Sequence, residues 1–294
     1  MDATPDAAAA EPTEGFRSGF VAFLGRPNVG KSSLVNAICG RKVSIVSDKP
    51  QTTRHRVMGV LSRADAQLVF VDTPGLHKPV TALGERVNAT ALESTEGVDV
   101  PCLVLDATQR FGNGDRWVAE RLDLPSTVVI VNKTDVATND QVLAMLAAAA
   151  ELDAEAYFPV SARTGAGLEP LLDHIAARLP LGPKYFPDDE FTDTPEERWV
   201  AELVREQLLA VTRDELPYSI ATRVVEWEWP RIRVDIVVER ESQKGMVIGK
   251  GGRILKEVGR RAREQLPEGA YLELRVKVDK DWQRRPDRVE RLGY

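Results

Sequence analysis

Cysteine is almost missing from this chain. Only Cys39 and Cys102 occur among 294 residues, each inside a segment that reads as buried helix or strand. A disulfide framework or a cysteine metal site has nothing to build on, and a reducing cytoplasm fits. Also missing is any apolar run near the ~20 residues that cross a bilayer, which excludes a protein anchored by transmembrane helices. Met1 to Glu14 is Ala-rich and acidic, and it lacks the basic start and apolar core of a signal peptide; a disordered tail is expected there. Positive charge is in deficit too, with a net charge of −6, which taken alone argues against a nucleic-acid partner.

The deficit is uneven. Up to Glu197 there are 18 Lys+Arg against 28 Asp+Glu, or −10, whereas from Arg198 onward there are 21 against 17, or +4. A polyanion partner is therefore expected for the C-terminal part only. With 43% hydrophobic and 29% charged residues the composition is globular, and the length suits two domains.

Short apolar runs alternate with helical stretches through the first part of the chain: Phe20 to Leu24, Leu68 to Val71, Cys102 to Leu105, Thr127 to Val131 and Tyr157 to Val160. Runs of that kind between helices predict an α/β fold, a mostly parallel sheet with helices on both faces, over residues 15–180. Residues 181–195 carry Pro-Leu-Gly-Pro punctuation, an acidic cluster and Asp193-Thr194-Pro195, and read as a linker. A helix is expected from Glu196, with Thr194 as N-cap and Pro195 at the first helical position. Residues 196–294 then give helix, two strands, two helices and a strand, a smaller α+β unit. No internal repeat is visible.

Gly25-Arg26-Pro27-Asn28-Val29-Gly30-Lys31-Ser32 matches G-x-x-x-x-G-K-[ST] between a predicted strand and a predicted helix that continues through Ser33. Such a loop points backbone N–H groups at phosphates; Lys31 is expected on the β- and γ-phosphates and Ser32 on Mg²⁺. Asp72-Thr73-Pro74-Gly75 matches D-x-x-G at the end of the second run, the aspartate holding Mg²⁺ through water and the Gly75 N–H sensing the γ-phosphate. Asn132-Lys133-Thr134-Asp135 matches N-K-x-D, whose carboxylate accepts from guanine N1–H and the 2-amino group. Adenine has no such donor pair, so GTP and GDP are the expected nucleotides. Ser161-Ala162 resembles the S-A-K element that contacts guanine O6 through its backbone, with Arg163 in place of the lysine.

Between the P-loop helix and the D-x-x-G strand lies Ser47-Asp48-Lys49-Pro50-Gln51-Thr52-Thr53-Arg54-His55. A threonine there can complete the Mg²⁺ shell only while the γ-phosphate is present, which makes an order-to-disorder switch. Thr52 and Thr53 are both candidates, Thr53 being preferred. The expected catalytic set is Lys31, Thr53 and Gly75. Leu76 stands where Ras-like GTPases carry a water-orienting glutamine, so intrinsic hydrolysis is expected at or below ~10⁻⁴ to 10⁻³ s⁻¹. Resemblance to GTPases with such an apolar residue implies a K⁺ site at Asn28; the competing role for Asn28 is to brace the loop. His55 and His77 read as solvated loop residues rather than general bases.

In the C-terminal unit, Gly249-Lys250-Gly251-Gly252 satisfies the G-x-x-G of KH domains, in which a loop without bulky side chains admits the RNA backbone. Val247, Ile248, Ile254 and Leu255 are expected as the apolar wall for bases. Lys244, Lys250, Arg253, Lys256, Arg260, Arg261 and Arg263 are the expected cations. Trp227 and Trp229 are assigned to packing of the hairpin.

A P-loop NTPase G domain followed by a type II KH domain resembles the Era family of bacterial GTPases, and Gln51-Thr52-Thr53-Arg54-His55 resembles that family's switch I. The resemblance covers Gly19 to Tyr294. It implies binding near the 3′ end of 16S ribosomal RNA, assembly and maturation of the 30S ribosomal subunit, peripheral association with the inner face of the cell membrane, and a monomer. The acidic N-terminal extension and Arg163 depart from the family pattern. A related family has two G domains, and the tRNA-modifying GTPases end in a functional cysteine; this chain has one G domain and no cysteine after Cys102. A GTP-binding scaffold without turnover is the alternative of another class.

Overall fold

The computed structural model describes residues 15–212 and 216–294; the expected disordered tail lies outside them. The first domain runs β1 (Arg17–Leu24), α1 (Lys31–Cys39), β2 (Val57–Ser62), β3 (Ala66–Asp72), α2 (Ala82–Glu93), β4 (Val100–Asp106), α3 (Asn113–Ala119), β5 (Val128–Asn132), α4 (Asn139–Ala150), β6 (Ala156–Pro159) and α5 (Leu168–Arg178). Its sheet has the order β2-β3-β1-β4-β5-β6. β1 pairs in parallel with β3 on one side and β4 on the other, placing Phe23 opposite Asp72 and Cys102. Strand addition thus reverses direction at β1, and the crevice at the C-terminal ends of such strands is where ligands bind.

Helices cover both faces, which is why the central strands are apolar almost without interruption. Phe23, Leu34, Val35, Phe70 and Ile175 share one core, and Leu24, Val71, Leu103, Val118 and Met145 share the other. Both thiols sit in apolar surroundings, and burial pushes the Cys39 thiol up to about 12.

One strand was not expected. β2 runs antiparallel to β3 at the sheet edge, its apolar run interrupted by Gly59. Its outer edge is covered by the linker: Val60 N–H donates to Phe191 O at 3.0 Å, Gly59 bridges Thr192, and Met58 N–H donates to Asp193 Oδ1 at 2.9 Å. The linker is therefore part of the first domain's surface and not a spacer between modules.

The second domain runs α6 (Glu196–Val211), β7 (Ala221–Glu228), β8 (Arg231–Val238), α7 (Glu241–Ile248), α8 (Arg253–Arg263), β9 (Tyr271–Val278) and α9 (Pro286–Arg291). β7 and β8 are antiparallel, β8 and β9 parallel, and Val204, Leu208, Ile232, Val234, Ile236 and Val258 fill the core between sheet and helices. α6 starts at Glu196 as expected, but its cap lies one residue later than the Thr194 assigned to it. Pro195 occupies the N-cap position, and the Thr194 hydroxyl is within 3.2 Å of Thr192 Oγ1 instead of capping the helix. α9 was also not expected. It packs on α2, where Leu83 and Val87 share a core with Trp282 and Val289, so the domains are joined by apolar contact as well as by the linker.

Candidate nucleotide site and RNA-facing loop

β1 delivers the loop Gly25 to Gly30 to the switch point, and Gly30, in the left-handed region at φ 101°, starts α1. The loop borders a cavity of about 340 Å³ lined by Pro27, Asn28, Gly30, Lys31, Ser32 and Ser33, by Ile45 to Asp48 and Gln51 to Thr53, and by Gly75 and Lys133. Lys31 is buried; its ammonium donates to the carbonyls of Gly25 at 3.0 Å and Arg26 at 3.1 Å. Burial lowers its pKa to about 8, opposed by the Asp72 carboxylate. Asp72 is buried as well, and burial raises its pKa. Its Oδ2 accepts from Ser44 Oγ at 2.7 Å and Thr53 Oγ1 at 3.4 Å, and the Thr53 and Ser32 hydroxyls are 2.8 Å apart. Thr53 is thus the switch threonine that faces Ser32 and Asp72, whereas the Thr52 hydroxyl donates to Lys49 O at 2.6 Å.

Gly75 packs against the loop so closely that a Cβ there would stand 2.7 Å from both the nitrogen and Cα of Pro27. Any side chain would push the Asp72 to Gly75 segment off the P-loop.

The N-K-x-D residues brace three loops. Asn132 donates to Val29 O at 3.0 Å and accepts from Ala162 N–H at 3.1 Å, tying the P-loop to the Ser161-Ala162 loop. Lys133 donates to Asn28 O and Asp106 Oδ2, both at 2.6 Å. The Asp135 carboxylate is oriented by Ser161 Oγ at 2.7 Å. Asp135, Ser161 and Ala162 do not line the cavity beside the P-loop.

Four expected nucleotide residues turn their side chains elsewhere. Arg26 pairs with Asp115 at 2.7 Å. Val29 is in the core, Pro74 is buried, and the buried Thr73 hydroxyl donates to Phe23 O at 2.6 Å. Only their backbones are available to a nucleotide. Asn28 adopts φ 64° and donates from Nδ2 to Asp48 O at 2.7 Å, joining the P-loop to switch I.

Neither switch histidine is a solvated loop residue. His55 stacks on Tyr294 with ring centroids 4.8 Å apart, and burial lowers its pKa to about 4. His77 is half-buried, its Nε2 2.8 Å from Gln51 Nε2 and its Nδ1 3.1 Å from Gly75 O. Neither lines the cavity beside the P-loop.

In the second domain the G-x-x-G loop joins α7 to α8 with Gly249, Gly251 and Gly252 at φ 73°, 64° and 75°, a run that side chains would strain. Lys250, Arg253 and Lys256 project from it into solvent with no ion pair among the described residues, and Lys244 stands 4.0 Å from Glu241. Val247 does not line the surface, because it is fully buried in the domain core; Ile248, Ile254 and Leu255 are half-buried. Arg260 and Arg261 are engaged by Glu257, and Arg260 also by Glu264.

Comparison with known proteins gives two family matches, to the model described as 50S ribosome-binding GTPase over residues 20–133 and to the KH domain over residues 215–283. The protein named GTPase Era of Mycobacterium sp. (strain KMS) is 49% identical, covering 95% of this chain and 99% of the relative. The chain belongs to the Era family of GTPases. Era of Mycobacterium tuberculosis (strain ATCC 25177 / H37Ra) is 48% identical over the same share. Among solved structures, Era in complex with MgGDPNP and nucleotides 1506–1542 of 16S ribosomal RNA superposes with a TM-score of 0.91 at 38% identity, covering 95% of this chain and 99% of that one. An Aquifex aeolicus Era variant bound to GDP·AlF4⁻ gives 0.90 at the same identity and coverage.

Ser44, Arg205 and Tyr294 bear on the switch but lie in no motif, and Arg54 lies in the Gln51 to His55 segment without a role assigned to it. Ser44 holds Asp72, and the other three lie where switch I meets the KH domain. Their only sequence signal is the resemblance of the Gln51 to His55 segment, which names Arg54 without saying what it touches.

Proposed function

We propose that this chain hydrolyses GTP to GDP and phosphate and couples its nucleotide state to binding of the 3′ region of 16S ribosomal RNA, acting in assembly and maturation of the 30S subunit. The observation that carries the proposal is the pairing, in one chain, of the P-loop cavity with an exposed cationic glycine loop. The solved relative that matches nearly the whole chain holds MgGDPNP and 16S RNA. The family model whose description mentions the large subunit matches only residues 20–133, so the RNA assignment follows the solved relative.

Mg²⁺ fits the residues present. Asp72 is a buried carboxylate whose Oδ1 has no hydrogen-bond partner among the described residues, a costly arrangement unless a cation neutralises it. Ser32 and Thr53 would hold the ion directly and Asp72 through water; bound there, it offsets charge on the β- and γ-phosphates. Lys31 supplies a second positive charge on the same phosphates, the Gly75 N–H reads the γ-phosphate, and Asp135 reads guanine.

Leu76 is 2% exposed and packed in the core beneath α2, so it cannot orient water. Activation has to come from elsewhere. The Asn28 amide donates to the Asp48 carbonyl, which is the bracing role; a K⁺ site at Asn28 rests on the resemblance to GTPases with such an apolar residue. Cytoplasmic location, peripheral membrane association and a monomeric state rest on the family resemblance.

The test is multiple-turnover phosphate release in Na⁺ and K⁺ buffers, with and without RNA of the 3′ region. RNA or K⁺ should stimulate turnover; no turnover under any condition would leave a nucleotide-dependent scaffold. In parallel, Lys250→Asp with Gly251→Asp adds two carboxylates where phosphates approach. Aspartate tolerates the left-handed conformation better than most residues, and a Cβ on Gly251 would meet nothing within 4 Å. RNA affinity by fluorescence anisotropy should fall at least tenfold, on the order expected from lost phosphate contacts, and its salt dependence should flatten.

A further inference from the structure

Thr53 is suspended between two attachments to the KH domain. On its N-terminal side, the Thr52 carbonyl accepts a hydrogen bond from Nη2 of Arg205 on α6. On its C-terminal side, the Arg54 guanidinium donates through Nη1 to Ile220 O at 2.7 Å and through Nη2 to Tyr218 O at 2.8 Å. The Arg54 guanidinium also lies 5.6 Å from the Tyr294 ring centroid, against the same ring on which His55 stacks. Further upstream, Val46 N–H donates to Glu206 Oε1 at 3.0 Å, again on α6.

Both arginines are buried, Arg205 at 0% and Arg54 at 2% exposure. Burial opposes the Arg205 charge, but Glu202 outweighs it, bonded to Nε at 2.9 Å, and keeps the guanidinium ionised. Buried ions contribute little net stability compared with apolar side chains of similar volume. What a guanidinium adds is direction, because its donors are fixed in one plane and aim at particular acceptors. The Thr52 carbonyl belongs to the peptide unit that carries the Thr53 nitrogen, so a shift of α6 is passed to Thr53 through one planar peptide, while Arg54 is held at the far end of its side chain.

Building on the assignment of Thr53 to Mg²⁺ above, we propose that Arg205 and Arg54 are positioning residues for GTP hydrolysis: they carry switch I on the KH domain. Thr53 is held beside Ser32 and Asp72 only while the KH domain is seated as in this structure. RNA that binds the seated arrangement, on which the solved relative with MgGDPNP and 16S RNA superposes at a TM-score of 0.91, favours Thr53 on its partners, and release of Thr53 after hydrolysis loosens the domain. By linkage the two effects on binding are equal in size.

The experiment uses the full chain with Arg205→Met and Glu202→Gln combined, which removes the donor without stranding a buried carboxylate. Arg205→Lys, which keeps a charge and a donor, is the rescue variant. Three quantities are measured: GDP affinity, kcat and KM for GTP, and the ratio of RNA affinities in GMPPNP and in GDP, using RNA of nucleotides 1506–1542. The paired variant should keep GDP affinity within twofold, lose at least fivefold in kcat with KM less affected, and bring the RNA affinity ratio close to one. Arg205→Lys should recover part of both losses. Unchanged kcat and an unchanged ratio in the paired variant would overturn the proposal. So would loss of GDP affinity together with kcat, which marks a merely structural role. Absence of RNA binding by the unaltered chain in either nucleotide state would instead overturn the RNA assignment on which the second half rests.

Discussion

Replacing Leu76 by glutamine should damage the fold without accelerating hydrolysis. Glutamine at this position is the residue that orients water in Ras-like GTPases, so sequence alignment alone suggests a gain of function. The structure argues otherwise. Leu76 is 2% exposed and packs with Leu24, Val71 and Ala91, and its N–H donates to Gly25 O at 3.3 Å, which fixes the backbone against the end of β1. A side chain built here enters the core. Losing a buried leucine costs about 1.5 to 3 kcal/mol, and a buried amide without partners adds about 1 to 3 kcal/mol. A total near 3 to 5 kcal/mol, at roughly 2 to 4 °C per kcal/mol for a chain of this size, lowers Tm by about 6 to 20 °C. Single-turnover hydrolysis, measured well below the lowered Tm, should stay within about threefold of the original rate, or roughly 0.7 kcal/mol in the barrier. Leu76→Met, which conserves volume, should cost less than about 1.5 kcal/mol and leave the rate unchanged. A tenfold faster Leu76→Gln variant with an undiminished Tm would show that the side chain swings into the nucleotide cavity and would refute the reasoning.

Asp135→Asn should weaken GTP by at least about tenfold and gain affinity for xanthosine triphosphate, because an amide can donate to the carbonyl that replaces the 2-amino group; unchanged GTP titrations would remove the guanine assignment. Lys31 must be protonated to hold phosphates, and with its pKa lowered to about 8 in the free protein, GDP affinity should fall about fourfold between pH 7 and pH 8.5 by proton linkage. A flat profile over that range would mean that Lys31 titrates elsewhere. Burial lowers His55 from 6.5 to about 4, with Glu202 opposing and Arg198, Arg205 and Arg54 reinforcing the shift. In that window the unfolded chain binds the extra proton, so the stability contributed by neutral His55 is complete above pH 6.5 and is lost as pH falls towards 4. Urea midpoints of the original chain should therefore drop more steeply over this interval than those of His55→Phe; parallel slopes would contradict the burial of the imidazole.

The parts of this molecule that could be read from its sequence are those written in consecutive residues. Gly25 to Ser32, Asp72 to Gly75 and Asn132 to Asp135 each follow a strand, and the parallel sheet brings the first two of them to one cavity with Lys133 of the third. Within a motif, membership does not imply a side-chain contact. Val29 and Thr73 are required for their backbone positions while their side chains serve the core and β1. Val247 shows the same limit in the KH domain, where the adjacent pair Val247-Ile248 splits between core and surface because neighbours on a helix point in different directions. β2 escaped because Gly59 breaks its pattern and its outer edge is satisfied by Phe191 and Asp193, far along the chain. The Arg205 bond to Thr52 spans 153 residues, and a charged residue on an amphipathic helix gives no sign that it is buried.

Net charge located the RNA-binding half for a reason that the structure refines. The excess of +4 counts every cation equally, yet most of them are already committed. Arg205 is buried against switch I, Arg223 and Lys277 face Asp235, Arg233 is shared between Glu226 and Glu273, and Arg260 and Arg261 are held by Glu257. A cation already paired has to give up its carboxylate to take a phosphate, so its contribution to polyanion binding is reduced by what it surrenders. Lys250, Arg253 and Lys256 have no such competitor among the described residues, and they flank the loop where glycines admit a backbone most closely. Attraction and close approach therefore coincide at one place on the domain. The same total charge spread evenly over the surface would draw RNA to the protein without fixing where it docks.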